Sequence, residues 1–338
     1  MTKLKDIGEL DLIKGLAERF LSTGSEVLKG IGDDCAVLRI GNEALLLTTD
    51  ILVEGVHFTR DNLDPAMLAQ KLLAINLSDI AAMGGRVKAG LLTVALTPET
   101  ELAFWEAFAS TLYDEFRSRH IDLLGGDTSS SPGPLIFNLV LLGRADPKKV
   151  LYRSGGRAGD LVFVSRPLGD AAAGLALQDQ SAPEVDLEIR EYLRNALESP
   201  RAEEELGLLL AESGLVTSMI DVSDGLATDL NHLVEASALG AEIFLDDLPL
   251  SKEAQALANE LNVDPIEWAL FGGEDYALLF TVPGSSVEAL RQMVHEGLDR
   301  EIWRVAQVTP KPGLFCLSEG RSRPLTSRGY EHFRSKGS

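Results

Sequence analysis

Cysteine is nearly absent from this chain: Cys35 and Cys316 are the only two in 338 residues. That is too few for a disulfide framework or a thiolate metal site, and it suits a reducing, cytoplasmic setting. No apolar run approaches the roughly 20 residues of a membrane-spanning helix. The stretch Leu135-Ile136-Phe137-Asn138-Leu139-Val140-Leu141-Leu142 is of strand length. A secretory leader is not expected either, because Met1-Thr2-Lys3-Leu4-Lys5-Asp6 carries charges where a leader has its apolar core. Positive charge is scarce: 31 Lys and Arg face 52 Asp and Glu, for a formal net charge of −21. This excess argues against nucleic acid and anionic membrane as partners. Taken alone, it describes only a self-repelling surface.

Familiar nucleotide and hydrolase signatures are missing. No Gly-x-x-x-x-Gly-Lys-Ser/Thr occurs, so the chain has no P-loop, and Gly30-x-Gly32 lacks the third glycine of a dinucleotide fingerprint because Cys35 stands there. There is no Gly-x-Ser-x-Gly elbow. His295-Glu296 has no second histidine at metalloprotease spacing, and the scattered histidines offer no zinc set.

What the chain has instead is acid in turns of small residues. Gly30-Ile31-Gly32-Asp33-Asp34 is followed by the apolar run Leu45-Leu46-Leu47-Thr48-Thr49-Asp50. Asn76-Leu77-Ser78-Asp79, Gly125-Gly126-Asp127-Thr128 and Ile220-Asp221-Val222-Ser223-Asp224-Gly225 repeat the pattern. A carboxylate at the end of a buried strand is costly unless a cation or metal meets it. Asp and Thr supply the hard oxygens that Mg²⁺ prefers. We read these acids as converging on several Mg²⁺ ions that hold a nucleotide polyphosphate, an arrangement that clamps a transferring phosphoryl group. Each acid taken singly also has a plain structural reading. Asp33-Asp34 caps a turn, Asp224 is an ordinary helix N-cap, and Gly125-Gly126 makes a turn rather than a phosphate cradle. Arg153, in the glycine-rich loop Arg153-Ser154-Gly155-Gly156-Arg157, pairs with phosphate or is simply solvated. Tyr330 and Phe333 stack on a planar or cationic ring, or pack against the fold.

The length suggests about two domains. Leu10, Ile13, Leu16 and Phe20 lie at helical spacing, which predicts a helix over 8–22. Asp64-Pro65 is a cap followed by a first-turn proline, and it predicts a helix running to about Gly84-Gly85. Strands are expected at 36–40, 44–49, 89–96, 121–124 and 135–144. Beyond a boundary near 146–150 we expect strands at 161–165, 219–222, 241–245, 277–282 and 302–308, with helices between them. The mixture predicts an α/β (α+β) protein of two domains, 1–148 and 149–338.

Taken in order, these segments resemble the thiamine-monophosphate kinases, in the superfamily of aminoimidazole ribonucleotide synthetase and selenophosphate synthetase. The likeness also rests on Gly55-Val56-His57-Phe58, Ile80-Ala81-Ala82-Met83-Gly84, Gly272-Gly273-Glu274-Asp275-Tyr276 and Gly329-Tyr330-Glu331-His332-Phe333. It implies ATP-dependent phosphorylation of thiamine phosphate to thiamine diphosphate by direct, in-line transfer. It implies Mg²⁺ on Asp34, Thr48, Thr49, Asp50, Asp79, Asp127, Asp221 and Asp224, with Asp50, Asp79 and Asp127 catalytic. Gly126, Asp127, Arg153 and Ser223 are then the ATP contacts, and His57, Glu274 and Tyr330 the thiamine phosphate contacts. The family fold implies a homodimer built through the sheet of an N-terminal α/β domain, and a C-terminal α+β domain. The chain departs from the family's usual pattern at Gly85-Arg86, Ser165-Arg166-Pro167 and Glu331. Selenophosphate synthetase is a poorer match, because residues 1–20 hold no cysteine. A purine-pathway synthetase and a non-catalytic Mg-nucleotide sensor are the remaining alternatives.

Overall fold

The computed structural model describes residues 4–21, 24–60, 64–179 and 182–325. The first half holds helices α1 (Leu4–Ile7) and α2 (Glu9–Arg19), strands β1 (Val27–Lys29), β2 (Ala36–Ile40) and β3 (Glu43–Val53), helix α3 (Pro65–Ala82), strand β4 (Arg86–Leu96), helix α4 (Leu102–Ser118), and strands β5 (Asp122–Ser130) and β6 (Ile136–Ala145). Its strands form one sheet in the order β1-β2-β3-β6-β4-β5. The helix expected over 8–22 is broken at its start, where Gly8 takes φ 83°. Strand β5 is longer than expected, running through Gly125-Gly126 instead of stopping there. A Cβ on Gly126 would lie 1.6 Å from the Leu92 carbonyl oxygen of β4, so glycine is required for this strand to sit beside its parallel neighbour.

The second half holds β7 (Leu161–Val164), α5 (Asp170–Ala176), α6 (Leu187–Glu198), α7 (Glu204–Ser213), β8 (Ser218–Val222), α8 (Leu226–Glu235), β9 (Gly240–Phe244), α9 (Lys252–Leu261), α10 (Pro265–Phe271), β10 (Ala277–Val282), α11 (Val287–Leu298), β11 (Trp303–Thr309), β12 (Gly313–Ser318) and β13 (Arg321–Leu325). The second sheet runs β13-β12-β9-β11-β7-β10-β8. The sequence reading did not anticipate β1, α10, β12 or β13. Arg166, one of the departures noted above, forms an ion pair with the buried Glu203, which Arg300 also grips.

Helix α3 is the element on which both halves are built. Asp64 caps it by accepting from Ala66 N at 2.7 Å, and Pro65 occupies its first turn. It is apolar on nearly every side, as suits a helix buried all round. One side packs on β3, β6 and α4; the other meets α7, β8 and β10 of the second half. Glycine permits the closest crossing, since a Cβ on Gly207 of α7 would stand 2.3 Å from Ala81 O.

Helices α3 and α4 cover one face of the first sheet. Its other face presents Leu47, Thr49, Ile51, Leu91 and Val140, with Ile51 at 48% and Leu91 at 37% exposure. Among the described residues no helix is long and apolar enough to cross a membrane.

Candidate active site

Polar residues in a buried helix need partners, and those of α3 find them where the halves meet. Asn76, fully buried, accepts from Asp50 N at 3.0 Å and donates to Leu72 O at 2.9 Å, which fixes the backbone of Asp50. Ser78 donates to Asp221 Oδ2 on β8 at 2.5 Å. Asp79 accepts from the Thr48 hydroxyl of β3. Alternation along β3 puts Thr48 and Asp50 on the α3 side.

The outcome is a knot of acid. Carboxylate oxygens of Asp34, Asp79 and Asp221 lie within 4.8 Å of one another. Asp50 and Asp224 adjoin them closely enough to perturb their titration. A cavity of about 540 Å³ opens here, lined by Asp33, Asp34, Thr48, Asp50, Asp79, Arg153 and Ser223 among others. The cation that meets the acids is Arg153, whose Nε and Nη2 donate to Asp34 Oδ1 at 3.1 and 2.6 Å. Asp33 is taken up by Lys29 at 3.0 Å and by the Arg153 backbone amide at 3.1 Å.

One arginine does not balance this charge. Burial pushes the Asp34 carboxyl up to about 7 from an ordinary 3.8, despite Arg153. Burial takes Asp50, Asp221 and Asp224 up to about 6. Asp79 is pushed well above the usual range by burial and then by the neighbouring Asp50. The buried Asp34 Oδ2 has no hydrogen-bond partner. Acids raised together around an unsatisfied carboxylate oxygen, with hydroxyls beside them, are a donor set suited to a hard divalent cation.

The other expected site residues are placed as follows. Thr49 lines the same cavity, and its hydroxyl accepts from Asn138 Nδ2 at 2.8 Å. Ser223 lines it too, and its carbonyl accepts from Glu274 N at 2.8 Å. His57 Nδ1 accepts from Val53 N at 3.0 Å, so Nε2 carries the proton of the neutral ring. Glu274 Oε1 pairs with Lys71 Nζ of α3 at 2.9 Å. Tyr330 lies outside the described residues.

Asp127 and Gly126 do not join this knot within one chain. Asp50 stands opposite Leu139, Leu139 opposite Leu92, and Leu92 opposite Gly126. Three strand spacings separate them, about 14 Å. By the same register Asp127 aligns with Thr93, Asn138 and Ile51, on the face that α3 and α4 leave open. Gly126 and Asp127 line a second cavity of about 370 Å³ with Trp105, Leu92 and Val94.

Sequence reasoning missed Lys71, Asn76 and Ser78, whose signal was polarity inside the largely apolar helix Pro65–Ala82. It also missed Asp229, a buried carboxylate that accepts from Asp224 N at 3.0 Å.

The family model described as AIR synthase related protein, N-terminal domain, matches residues 32–145, and its C-terminal counterpart matches 157–317. The chain is 40% identical to thiamine-monophosphate kinase of Escherichia coli (strain K12) over 333 residues, which is 96% of this chain and 98% of that protein. It is 36% identical to the thiamine-monophosphate kinase of Aquifex aeolicus (strain VF5), covering 98% of this chain and 100% of that one. The solved structure of AaThiL complexed with AMPPCP and TMP superposes with a TM-score of 0.86 at 32% identity, over 98% of this chain and 99% of that one.

Proposed function

The chain belongs to the thiamine-monophosphate kinase family, within the AIR synthase related proteins, and we propose that it transfers the γ-phosphoryl group of ATP in line to thiamine phosphate, giving ADP and thiamine diphosphate. The observation that carries this reading is the convergence of Asp34, Asp79 and Asp221 around an unpartnered Asp34 oxygen. Bound there, Mg²⁺ ions would neutralise the phosphate oxygens and the charge developing on them during transfer.

The residues that would hold those ions are Asp34, Asp50, Asp79, Asp221 and Asp224, with Thr48 and Thr49 beside them. Asn76 and Ser78 orient Asp50 and Asp221 from α3. Arg153 is within reach of a nucleotide phosphate once the charge of Asp34 is shared with a cation, and Ser223 contacts the same nucleotide. The acceptor is already a phosphate anion, so no strong general base is needed. The work is to bring two anions together in line. His57 would donate from Nε2 to the acceptor phosphate, while Glu274 meets the cationic thiazolium and Tyr330 stacks on the ring.

We further propose that the working form is a cytoplasmic homodimer, with domains divided at 148/149. The open, apolar face of the first sheet would be covered by a second copy. The partner's β5 would then carry Gly126 and Asp127 to the acid knot. In that arrangement the two residues that one chain keeps apart would take up their metal and nucleotide roles.

The test is phosphorus NMR of the purified protein with ATP, Mg²⁺ and thiamine phosphate. ADP and thiamine diphosphate signals should grow, and should vanish with EDTA. ADP with inorganic phosphate, and no thiamine diphosphate, would point to a synthetase or phosphatase. A folded protein that leaves ATP intact would point to a nucleotide sensor.

A further inference from the structure

We propose that Lys71 is a positioning residue that fixes Glu274 and thereby sets the affinity for thiamine phosphate. This rests on the reading of Glu274 as the carboxylate that meets the thiazolium.

Lys71 lies in the middle of α3 and is 2% exposed. A buried ammonium must be paired, and this one donates to Leu197 O at 3.1 Å and pairs with Glu274 Oε1 at 2.9 Å. The charge of Lys71 also acts on Glu198. The Glu274 side chain remains 32% exposed, so Lys71 holds it from behind while leaving part of the carboxylate accessible.

The loop that carries Glu274 is unusual. Glu274 has φ 59° and Tyr276 has φ 47°, left-handed values that side-chain-bearing residues seldom adopt. The surroundings hold the backbone there. Glu274 N donates to Ser223 O and Tyr276 N to Val222 O, both at 2.8 Å. The Tyr276 ring is buried in the core of the first half, and Asp275 turns back to accept from Gly169 N at 2.8 Å. The backbone of the loop is therefore tied at several points, whereas the ion pair that locates the Glu274 carboxylate is the one with Lys71. Strain held in place by neighbours is a mark of functional loops.

Position along α3 separates Lys71 from the metal knot. Lys71 and Ser78 are seven residues apart, about 10 Å along the helix axis. Loss of Lys71 should therefore act on the ring end of the substrate and not on the phosphates.

The experiment is steady-state kinetics of Lys71→Met, Lys71→Arg, Glu274→Gln and the double variant Lys71→Met/Glu274→Gln, each checked for native circular dichroism. In Lys71→Met the KM for thiamine phosphate should rise about tenfold, the lower end for loss of a hydrogen bond to a charged group, while the KM for ATP and kcat change little. Lys71→Arg should restore most of the affinity. The double variant should match Glu274→Gln alone, because both changes remove one interaction. An unmoved KM in Lys71→Met, an equal rise in both KM values, or independent effects in the double variant would overturn the role of Lys71. If the unmutated protein forms no thiamine diphosphate at all, the reading of the site falls. A normal rate in the unmutated protein with an unmoved Lys71→Met confines the failure to Lys71.

Discussion

Ser78 and Asp221 belong to different halves of the chain, yet the Ser78 hydroxyl donates to Asp221 Oδ2 across 2.5 Å with both side chains buried. This bond ties α3 to β8 and aims one carboxylate at the acid knot. Ser78→Ala should leave the fold intact and weaken the apparent Mg²⁺ affinity by about tenfold, as loss of an outer-shell partner does. Titrating activity against Mg²⁺ at saturating ATP checks this; an unchanged midpoint would show that Asp221 needs no such support.

Acidity and metal should be linked in stability. Asp34 at about 7, and Asp50, Asp221 and Asp224 at about 6, all lie above the ordinary 3.8. Each carboxyl binds its proton more tightly folded than unfolded. The metal-free protein therefore keeps this contribution fully below pH 4 and loses it as pH climbs through 6 to 7. Mg²⁺ competes for the same oxygens, so its stabilisation should grow over that window. Melting in EDTA and in excess Mg²⁺ from pH 5 to 8 should give a Tm difference that widens with pH. Ligand at 100 times its Kd adds about 2.7 kcal/mol. A difference that is flat with pH would remove these carboxyls from the metal site.

Asp50→Asn separates function from folding. Asp50 is half-buried among like charges, and an amide there relieves repulsion while removing a proposed metal ligand. Turnover should fall at least about 100-fold, the scale of losing one group that stabilises transition-state charge. Tm in EDTA should stay level or rise. Full activity in this variant would refute the role of Asp50.

The crossing of α3 and α7 makes a purely structural prediction. A methyl on Gly207 would sit 2.3 Å from Ala81 O, and one on Gly84 2.3 Å from Ala211 Cβ. Overpacking of this kind costs about 1–3 kcal/mol. Gly207→Ala should lower Tm by about 2–4 °C per kcal/mol. Because the halves meet here, activity should become heat-labile together with the fold. Calorimetry showing an unchanged Tm would mean that the two helices part at little cost.

Much of this site was legible in the sequence because acids beside small residues stand out against apolar runs. Asp34, Asp50, Asp79, Asp221 and Asp224 came from that contrast, and the cap at Asp64-Pro65 marked the start of α3. What could not be read was register. Glycine normally argues against a strand interior, so Gly125-Gly126 read as a strand end, whereas Gly126 is there because β4 comes too close for any side chain. Spacing alone also could not show that Asp127 faces away from Asp50, since facing depends on pairing through β6 and β4. The polar residues of α3 were visible as anomalies, but their partners lie in segments as distant as Asp221 and Glu274. Strand β13, with Pro324 inside it, gave too weak a pattern to read.

The placement of Asp127 on the open face leads to the sharpest test of the dimer. If the partner's Asp127 completes each site, then Asp50→Asn and Asp127→Asn damage sites contributed by different copies. Each pure variant should be nearly inactive. When the two are unfolded together and refolded, a mixed dimer places both substitutions in one site and leaves the other site unaltered. Activity should then return, up to half the specific activity of the original protein for each mixed dimer, with Asp50→Asn alone and Asp127→Asn alone refolded as controls. If both residues serve the same copy, every site in the mixture carries one substitution and no activity returns. The mixed dimer can be isolated with two different affinity tags, so that its activity is measured without dilution by the parents. Recovery would establish that the site is built from two copies of the chain. Absence of recovery in an isolated mixed dimer would mean that Asp127 acts elsewhere, and the acid knot of a single chain would then have to hold the metal alone.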